Sequence, residues 1–438
     1  MSKIKVDQIE GSTGSSITIP AGQTLTVTDG LSASTITSGT LADARIPDLN
    51  ASKITAGTIS DTRLPANALN SNVDLGNLSA TNLTSGTLPD ARFPSILPAV
   101  SAANLTDLPA GATPYGLFSK IDPTVVAWSK TGAFTMQTNT GLYIEVNGDI
   151  KTIASGTSIT MPSATAGTDY AIWCTTAGSL EATTNHVSPP STNARKVGGF
   201  HYAPGGNATG TSGGDTTPAI NEYSLWDLKW RPSCSDPRGM TLIGGHFWSD
   251  IYLTGINHNI NGTSKLNVQI TDGGSGQGAV IPTIYGGNGS TTYADYNWFA
   301  ASEVLSSHGK RHPTYAEFIA LAYGSTENTA RGSDPVNTQM SSTDAPFTSR
   351  WGVIQATGCM GTFGNNFGGG ASGGSSWSGT GITDGRGQTW NLSRVGYFAG
   401  AFNNGVNAGT RFSNWGQGPD SDHSGRSSRG ICDHLTSE

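Results

Sequence analysis

The sequence predicts a multidomain, mainly β protein with three parts: a fibrous repeat region, a β-sandwich middle domain, and a C-terminal α+β domain. Three observations predict this architecture. Only 13% of the 438 residues are charged and 59 are glycine, a balance that favours turn-rich β structure over helical bundles. A short unit repeats near the N-terminus, and short strands with regular turn signals follow it. Helical spacing of apolar residues is found only in the second half, and the length fits two to four domains.

Residues 1–33 are predicted to form a β attachment segment. Within it, residues 16–31 alternate apolar and polar side chains, which is typical of a small β-hairpin. The residues from Met1 to Gly11 lack the apolar core of a signal peptide.

Residues 34–112 are predicted to form a repetitive shaft. The unit at 36–47 recurs at 54–65 and 83–94, each time with a short apolar-alternating strand, a Gly turn, an Asp-x-Arg pair and a closing Pro. One unit is too small to bury a core, so we expect copies of the chain to intertwine. The alternative is a disordered Ser/Thr/Ala linker, in which periodic Ile and Leu would serve no purpose. These units resemble the shafts of phage tail fibres, which implies a homotrimer docked to a virion tail or baseplate protein through its N-terminus.

Residues 113–214 are predicted to form a β-sandwich that acts as a spacer and trimer contact. Short apolar runs separated by Gly-, Asn- and Asp-containing turns are typical of such a domain. The runs contain no catalytic constellation. Strands are predicted at 124–128, 141–146, 158–161, 169–174 and 196–202.

Residues 221–438 are predicted to form a domain of mixed α and β structure, with strands at 226–230 and 247–253. Apolar residues at helical spacing predict a helix over 295–307, ended by Gly309. A second helix is predicted over 314–323, opened by a capping box of Thr314 and Glu317. The Gly-rich stretch 363–381 lacks the Gly-Lys-Ser/Thr of a phosphate loop, and we expect a long exposed loop beside the binding face.

The last forty residues alternate a rigid frame with small, flexible, polar positions. Such a composition is typical of an adaptable binding surface. The frame residues include Phe402, Arg411, Trp415, Arg429 and Cys432. The candidate receptor-binding positions between them are Ala401, Asn403, Asn404, Gly405, Asn407, Asn414, Gly416, Ser421, His423, Gly425 and Arg426.

The run from Gly400 to Leu435, which closes with R-G-I-C-D-H-L, resembles the variable region of phage tropism determinants. These are receptor-binding proteins diversified by a retroelement that mutates adenines in asparagine-type codons, which yields Asn, Ser, Gly, Asp, His, Arg or Tyr. The resemblance implies that region 400–428 binds a bacterial cell-surface receptor, protein or glycan, from the tip of a virion tail fibre. The phrases at 234–240, 309–318 and 349–353 are similar to the formylglycine-generating-enzyme branch of the C-type lectin fold, which implies that fold for 221–438.

The resemblance also assigns roles within the frame. Phe402 and Trp415 are expected to be structural, and Arg411 and Arg429 are expected to make internal hydrogen bonds. His423 is expected to contact the receptor, whereas His434 is expected to be a hydrogen-bonded structural histidine.

Charge and cysteine usage exclude several classes of function. A net charge of -7 without clustered Lys and Arg argues against a nucleic-acid partner, and no stretch is apolar enough for membrane insertion. The 4 cysteines are too widely spaced to predict a disulfide framework or a metal site. We therefore predict no cofactor, although Asp420, Asp422 and Asp433 leave a structural calcium open. The Glu-Pro-Asn and Trp-Asn-Asp motifs of calcium-dependent sugar-binding lectins are absent.

Two function classes remain. The first is a non-enzymatic tail-fibre protein whose trimeric form adds avidity to weak contacts. The alternative is an enzyme, either a surface-polysaccharide depolymerase or an oxidase of the formylglycine-generating type. A depolymerase needs two carboxylates facing a groove, and the sequence singles out no such pair. An oxidase needs a reactive cysteine pair, for which Cys359 would have to approach Cys432 in the fold.

Overall fold

The computed structural model describes residues 116–258, 262, 264–274, 276–371, 377–378, 388–390 and 393–436, together with 20–24 and 26. The chain divides into two compact units, residues 1–100 and 101–438. In the first unit, the described residues form a turn in which Gln23 N–H donates to the carbonyl of Pro20 at 3.1 Å. The rest of the predicted attachment segment and the shaft lie outside the described residues up to Gly116, and both stay predictions.

Nine strands form the first part of the second unit. They make a three-stranded sheet in the order β1-β4-β5, a β2-β3 hairpin, and a group in which β8 pairs with both β6 and β9. The strands are β1 Phe118–Lys120, β2 Trp128–Gly132, β3 Thr135–Thr138, β4 Leu142–Val146, β5 Asp149–Ile153, β6 Thr168–Cys174, β7 Leu180–Thr183, β8 Arg195–Ala203 and β9 Ala219–Ile220.

Apolar side chains from all these sheets meet in one core. Ile144 on β4 and Ile172 on β6 are fully buried in it, and the rings of Tyr170 and Phe200 stack at 5.2 Å. Burial of aromatic area on this scale is the main stabilising contribution of such a layered arrangement. The mainly β character predicted for this part is confirmed.

Two predicted strands in this part differ from the structure. Residues 124–127 are not a strand, because the carboxylate of Asp122 accepts from both the N–H and the hydroxyl of Thr124 and holds a local turn. β2 therefore begins only at Trp128. Residues 158–161 make two isolated bridges, from Ser158 to Gln137 and from Thr160 to Glu181, rather than a strand.

Among its described residues, the second part adds two helices and eleven strands. These elements are β10 Trp226–Asp227, β11 Trp230–Pro232, β12 Met240–Ile243, β13 Phe247–Asp250, α1 Trp298–Ser306, α2 Tyr315–Ala322, β14 Gly361–Ala371, β15 Trp377–Ser378, β16 Thr389–Trp390, β17 Ser393–Phe398, β18 Ser413–Gln417, β19 Arg426–Ser427 and β20 Ile431–Thr436.

One nine-stranded sheet joins the two parts. Its order is β12-β13-β20-β11-β10-β8-β6-β7, with β9 also pairing with β8. The sheet crosses the predicted boundary between residues 214 and 221, so both parts share one hydrogen-bonded ladder. A buried ion pair adds to this junction, since Lys120 Nζ lies 3.0 Å from an Asp227 carboxylate oxygen.

The predicted strand over 226–230 is wrong in one respect. It is two short antiparallel strands, with Asp227 opposite Trp230, and Lys229 N–H donates to the Asp227 carboxylate at 2.7 Å in the turn between them. A side chain that accepts from the backbone two residues later favours a turn over a continuous strand.

Both predicted helices are confirmed, with slightly shorter bounds. Asn297 caps α1 by accepting from the N–H groups of the first turn, and Gly309 follows with a φ of 74°. The capping box of Thr314 and Glu317 at the start of α2 is complete in both directions.

A second sheet of four strands, in the order β18-β17-β14-β19, carries the C-terminal region. The predicted exposed loop over 363–381 is wrong for its first part, because residues 361–371 form β14 and pair with β17. Close approach requires glycine at position 364, where a Cβ would lie 2.2 Å from the ring of Phe398. At Gly368 the approach is less severe, since a Cβ would lie 3.3 Å from the ring of Trp415. Residues 372–376 and 379–387 lie outside the described residues.

Candidate functional site

Residues 400–428 surround the four-stranded sheet. After β17 the chain makes a loop with a 3-10 turn over Gly405–Asn407, and it then enters β18, which carries Asn414 and Gly416. A turn over 418–425 leads to β19, which begins at Arg426 and pairs with β14 in parallel. The candidate positions therefore lie on both edge strands of the sheet and on the loops beside them.

The candidate positions differ in exposure. Asn403, Gly405, Asn407, Gly416 and His423 are exposed, whereas Asn404, Asn414 and Ser421 are half-buried. Buried positions are Ala401, Gly425 and Arg426.

A tyrosine outside the candidate region connects several of these positions. Tyr397 lies on β17, and its hydroxyl accepts from the side-chain amide of Asn414 at 2.6 Å. The guanidinium carbon of Arg426 lies 4.8 Å from the centroid of the Tyr397 ring. Arg426 also donates to the hydroxyl of Ser421 at 3.0 Å. Three candidate positions are therefore connected through one buried aromatic side chain, Tyr397. The sequence did not reveal this role of Tyr397, because only the pairing of β17 with its neighbouring strands brings the ring close to these positions.

Arg426 differs from its prediction as a direct receptor contact. Only 7% of it is exposed, and burial lowers the pKa of its guanidinium. In this arrangement it supports the surface from below, through Tyr397 and Ser421.

The loop before β18 presents its side chains outward. Asn404 Oδ1 accepts from the backbone N–H of Ala401 at 2.6 Å, which closes the loop on itself. Gly405 has a φ of 54°, and a Cβ added there would meet no atom within 4 Å. Next to it Val406 is 74% exposed, an apolar side chain that the sequence reasoning did not include among the contacts. The only feature of the sequence that could have indicated this exposure is the position of Val406 between the candidates Gly405 and Asn407.

Frame residues between the candidates pack inward. The ring of Trp415 lies 6.1 Å from that of Phe398 and 6.4 Å from that of Tyr315. Phe402 packs against a buried cluster that includes Met360. These contacts agree with the structural roles expected for both residues.

The end of the loop is anchored by an acidic side chain. Glu327 accepts from the N–H of Thr410 at 3.0 Å and from its hydroxyl at 2.5 Å. A Cβ on Gly409 would lie 2.2 Å from the same carboxylate, so a larger residue there would displace the Glu327 side chain.

Arg411 differs from its predicted role as an internally bonded frame residue. Its backbone carbonyl accepts from the Tyr315 hydroxyl at 2.6 Å, but its side chain is exposed. That side chain makes no hydrogen bond or ion pair with any part of the chain that the structure describes. A fixed positive charge is therefore available beside the candidate positions.

Arg429 makes the internal hydrogen bonds that were predicted. Its guanidinium donates to the carbonyls of Asp250, Ile251 and Ile354 at 3.0, 2.7 and 2.7 Å. Burial lowers its pKa to about 10. The carboxylate of Asp250 is paired with Lys310 Nζ at 2.5 Å, so the buried charges are compensated.

The remaining candidates have local partners. His423 is exposed, and its Nδ1 accepts from the N–H of Gly425 at 2.9 Å. His434 accepts from the indole N–H of Trp248 at 2.9 Å, and burial lowers the pKa of its ring, in agreement with a structural role. Cys432 and Cys234 are buried in one cluster to which Cys359 does not belong, so the structure does not bring together the Cys359–Cys432 pair considered for an oxidase.

Metal and membrane sites were also predicted to be absent. Within the described ranges, no three His, Cys, Asp or Glu side chains are grouped as a metal would require. Asp420 and Asp422 are exposed, and Asp433 lies 3.1 Å from Arg311, so the possible structural calcium stays untested. Of the helices that the structure describes, none is long and apolar enough to cross a membrane.

Comparisons with known proteins agree on one family. Residues 126–227 match the family model described as the Mtd second domain. The tail fiber receptor-binding protein of Bordetella phage BPP-1 is 48% identical over 316 residues, which covers 70% of this chain and 82% of that protein. The solved P3c variant of the Major Tropism Determinant is 46% identical, with a TM-score of 0.70, and covers 74% of this chain and 87% of that one. The U1 variant is 47% identical, with a TM-score of 0.70, and covers 73% and 86%.

Proposed function

Because this chain belongs to the family of phage tail-fibre receptor-binding proteins that includes the Major Tropism Determinants, we infer that it is a tropism determinant. It is a component of a virion tail fibre and binds a receptor on the surface of a bacterial host. The similarity covers most of both chains, so the inference applies to the whole protein rather than to one module.

The receptor-contact surface proposed here consists of the loop over 401–407, the exposed face of β18 and the turn over 418–425. One observation carries the assignment: five of the eleven candidate positions are exposed and three are half-buried, while the aromatic frame residues Phe402 and Trp415 pack inward. Substitutions at exposed positions usually change stability by no more than about 0.5 kcal/mol. Recognition can therefore change while the fold is retained.

Gly405 illustrates why diversification suits this loop. Its φ of 54° lies in the left-handed region, which Gly, Asn and Asp adopt more readily than other residues. Mutated asparagine-type codons supply these three residues among others. The backbone thus accepts part of the diversified set without strain.

Arg411 and Val406 are exposed on the same surface but are not among the candidate variable positions, so we propose that they contact the receptor in every variant. The exposed guanidinium of Arg411 suits an acidic group on the receptor, and Val406 suits an apolar contact. We assign no catalytic step to this surface. Purified surface polysaccharide should keep its chain length when it is incubated with the protein, and depolymerisation would favour the enzymatic alternative.

The finer parts of the architecture are proposals of the same kind. The motif phrases at 234–240, 309–318 and 349–353 support a C-type lectin fold for residues 221–438. The repeats in 34–112 support a homotrimer, in which three weak sites act together through avidity. The N-terminal segment 1–33 is proposed to dock to the tail or baseplate.

The test uses the full chain against a panel of bacterial strains that includes Bordetella. Three exposed positions, Asn403, Asn407 and His423, are replaced together by Ala. We expect cell binding to be lost while the thermal midpoint stays within a few degrees. The matched control replaces three exposed polar residues of the middle part, which are Thr184, Ser188 and Thr192. Loss of binding in both variants, or in neither, would contradict the assignment of the surface.

A further inference from the structure

Strands β11 and β20 bring two cysteines face to face. The strands are antiparallel, and their pairing continues one residue past β11, where the N–H of Ser233 donates to the carbonyl of Asp433 at 2.9 Å. Continuing this register by one more residue places Cys234, which lies in the bend after β11, opposite Cys432 on β20. Both side chains are buried in one cluster with Trp248.

The geometry of this position suits a disulfide. Ser233 and Asp433 share a backbone hydrogen bond, so the cysteines occupy the neighbouring non-hydrogen-bonded position, where opposite Cα atoms lie about 4.5 Å apart. A disulfide spans Cα separations of roughly 4.4–6.8 Å. Cys234 and Cys432 belong to the same small buried cluster, in which the Cys234 thiol also lies 3.3 Å from the sulfur of Met240.

We propose that Cys234 and Cys432 form a cross-strand disulfide in the native protein when it meets an oxidant of the disulfide class. Such an oxidant becomes available once the protein leaves the reducing cytoplasm. The two thiols lose two protons and two electrons and one S–S bond forms. The S–S bond of the oxidant breaks, and the oxidant is released as two thiols.

The exchange takes two steps. Cys234 and the nearby charge of Lys310 lower the pKa of Cys432, which favours a thiolate in this pair. One cysteine thiolate attacks a sulfur atom of the oxidant and releases the first thiol. The other cysteine then attacks the mixed disulfide and releases the second thiol. Cys234 lies between the exposed residues Ser233 and Ser235, so local opening of this bend uncovers the pair.

The other two cysteines provide internal controls. Cys174 is buried, and burial raises its pKa to about 11. Cys359 is also buried, and burial raises its pKa above the ordinary value. Neither has a thiol partner among the described residues, so we expect both to stay reduced.

The cross-link would tie the last strand to the start of the C-terminal domain. It closes a loop over residues 234–432, which contains both helices and the whole region 400–428. Cross-linking so long a loop in the native geometry should raise the thermal midpoint by roughly 5–10 °C.

The experiment uses the full chain, purified reduced and then incubated with oxidised glutathione under native conditions. Free thiols counted after denaturation should fall from 4 to 2, and peptide mapping should recover Cys234 joined to Cys432. The single variants Cys234→Ser and Cys432→Ser should each abolish the cross-link. The matched variants Cys174→Ser and Cys359→Ser should retain it.

Three results would overturn the proposal. They are unchanged thiols after oxidation, a linkage that involves Cys174 or Cys359, and a lower thermal midpoint for the oxidised protein. Mapping of the unmodified chain decides the first two even where a variant fails to fold. The inference is independent of the receptor proposal, since it needs no bound cell.

Discussion

The contact between Tyr397 and Asn414 predicts that these two residues are energetically coupled. Tyr397→Phe removes only the hydroxyl that accepts from the Asn414 amide at 2.6 Å, and the ring stays in place. Asn414→Ala removes the donor of the same hydrogen bond and also the oxygen that accepts from the Gly416 N–H at 2.8 Å. A hydrogen bond of this kind contributes about 1 kcal/mol to stability. Tyr397→Phe should therefore lose about 1 kcal/mol of unfolding free energy, and Asn414→Ala up to about 2 kcal/mol.

The double variant should lose no more than Asn414→Ala alone, about 2 kcal/mol rather than about 3, because the shared bond cannot be lost twice. The assay is urea unfolding of the four proteins in the cycle, with the coupling energy taken from the difference. Asn403→Ala is the matched control, since Asn403 is an exposed asparagine in the same region. Its cycle with Tyr397→Phe should show no coupling.

Additive losses for Tyr397 and Asn414, within about 0.5 kcal/mol, would refute this reasoning. Such a result would mean that the two side chains do not share the hydrogen bond in solution. The central position assigned to Tyr397 in the candidate surface would then be wrong.

Three further predictions concern single side chains. Gly405→Asn should change the free energy of unfolding by less than about 1 kcal/mol, whereas Gly405→Val should lower it further, because a β-branched residue is strained at a φ of 54°. Equal urea midpoints for the two variants would contradict this prediction. Val406→Asp should weaken cell binding without lowering the thermal midpoint, because the side chain is 74% exposed, and unchanged binding would remove Val406 from the surface. Burial raises the pKa of Asp272 from 3.8 to about 6, so the unfolded chain releases this proton at lower pH than the folded one. Stability should fall as pH rises from about 4 to 6 and then level off, and Asp272→Asn should remove this slope and stabilise the protein at pH 7 by about 1–3 kcal/mol; an unchanged slope in urea titrations would contradict the assignment.

The sequence predicted elements that are specified by local interactions. The helices α1 and α2 were located correctly, because their caps and apolar spacing lie within a few residues of each other. The strands β4, β6 and β8 were also recognised from their apolar runs. In each case one short segment contains the whole signal.

Elements that depend on distant partners were missed. The glycines of β14 favour a loop by propensity, and only the rings of Phe398 and Trp415 packed against them explain the strand. The break in the predicted strand 226–230 depends on where the Asp227 carboxylate points.

The candidate surface was predicted in outline but not in detail. The positions from Ala401 to Arg426 came from a family resemblance, which identifies residues and not their exposure. Arg426 is buried against Tyr397 from a neighbouring strand, and the exposed side chain of Arg411 has no ion-pair partner among the residues that the structure describes. Neither condition can be read from residues 400–428 alone.

The central claim is that the exposed positions of region 400–428 determine which bacteria are bound. The most direct measurement re-randomises Asn403, Asn407, Gly416 and His423 among Asn, Ser, Gly, Asp, His, Arg and Tyr in the full chain. The folded variants are then tested for binding to a panel of bacterial strains. We predict that different variants bind different strains while their thermal midpoints stay similar. Binding of the same strains by every folded variant would contradict the account and place the receptor contact elsewhere on the protein.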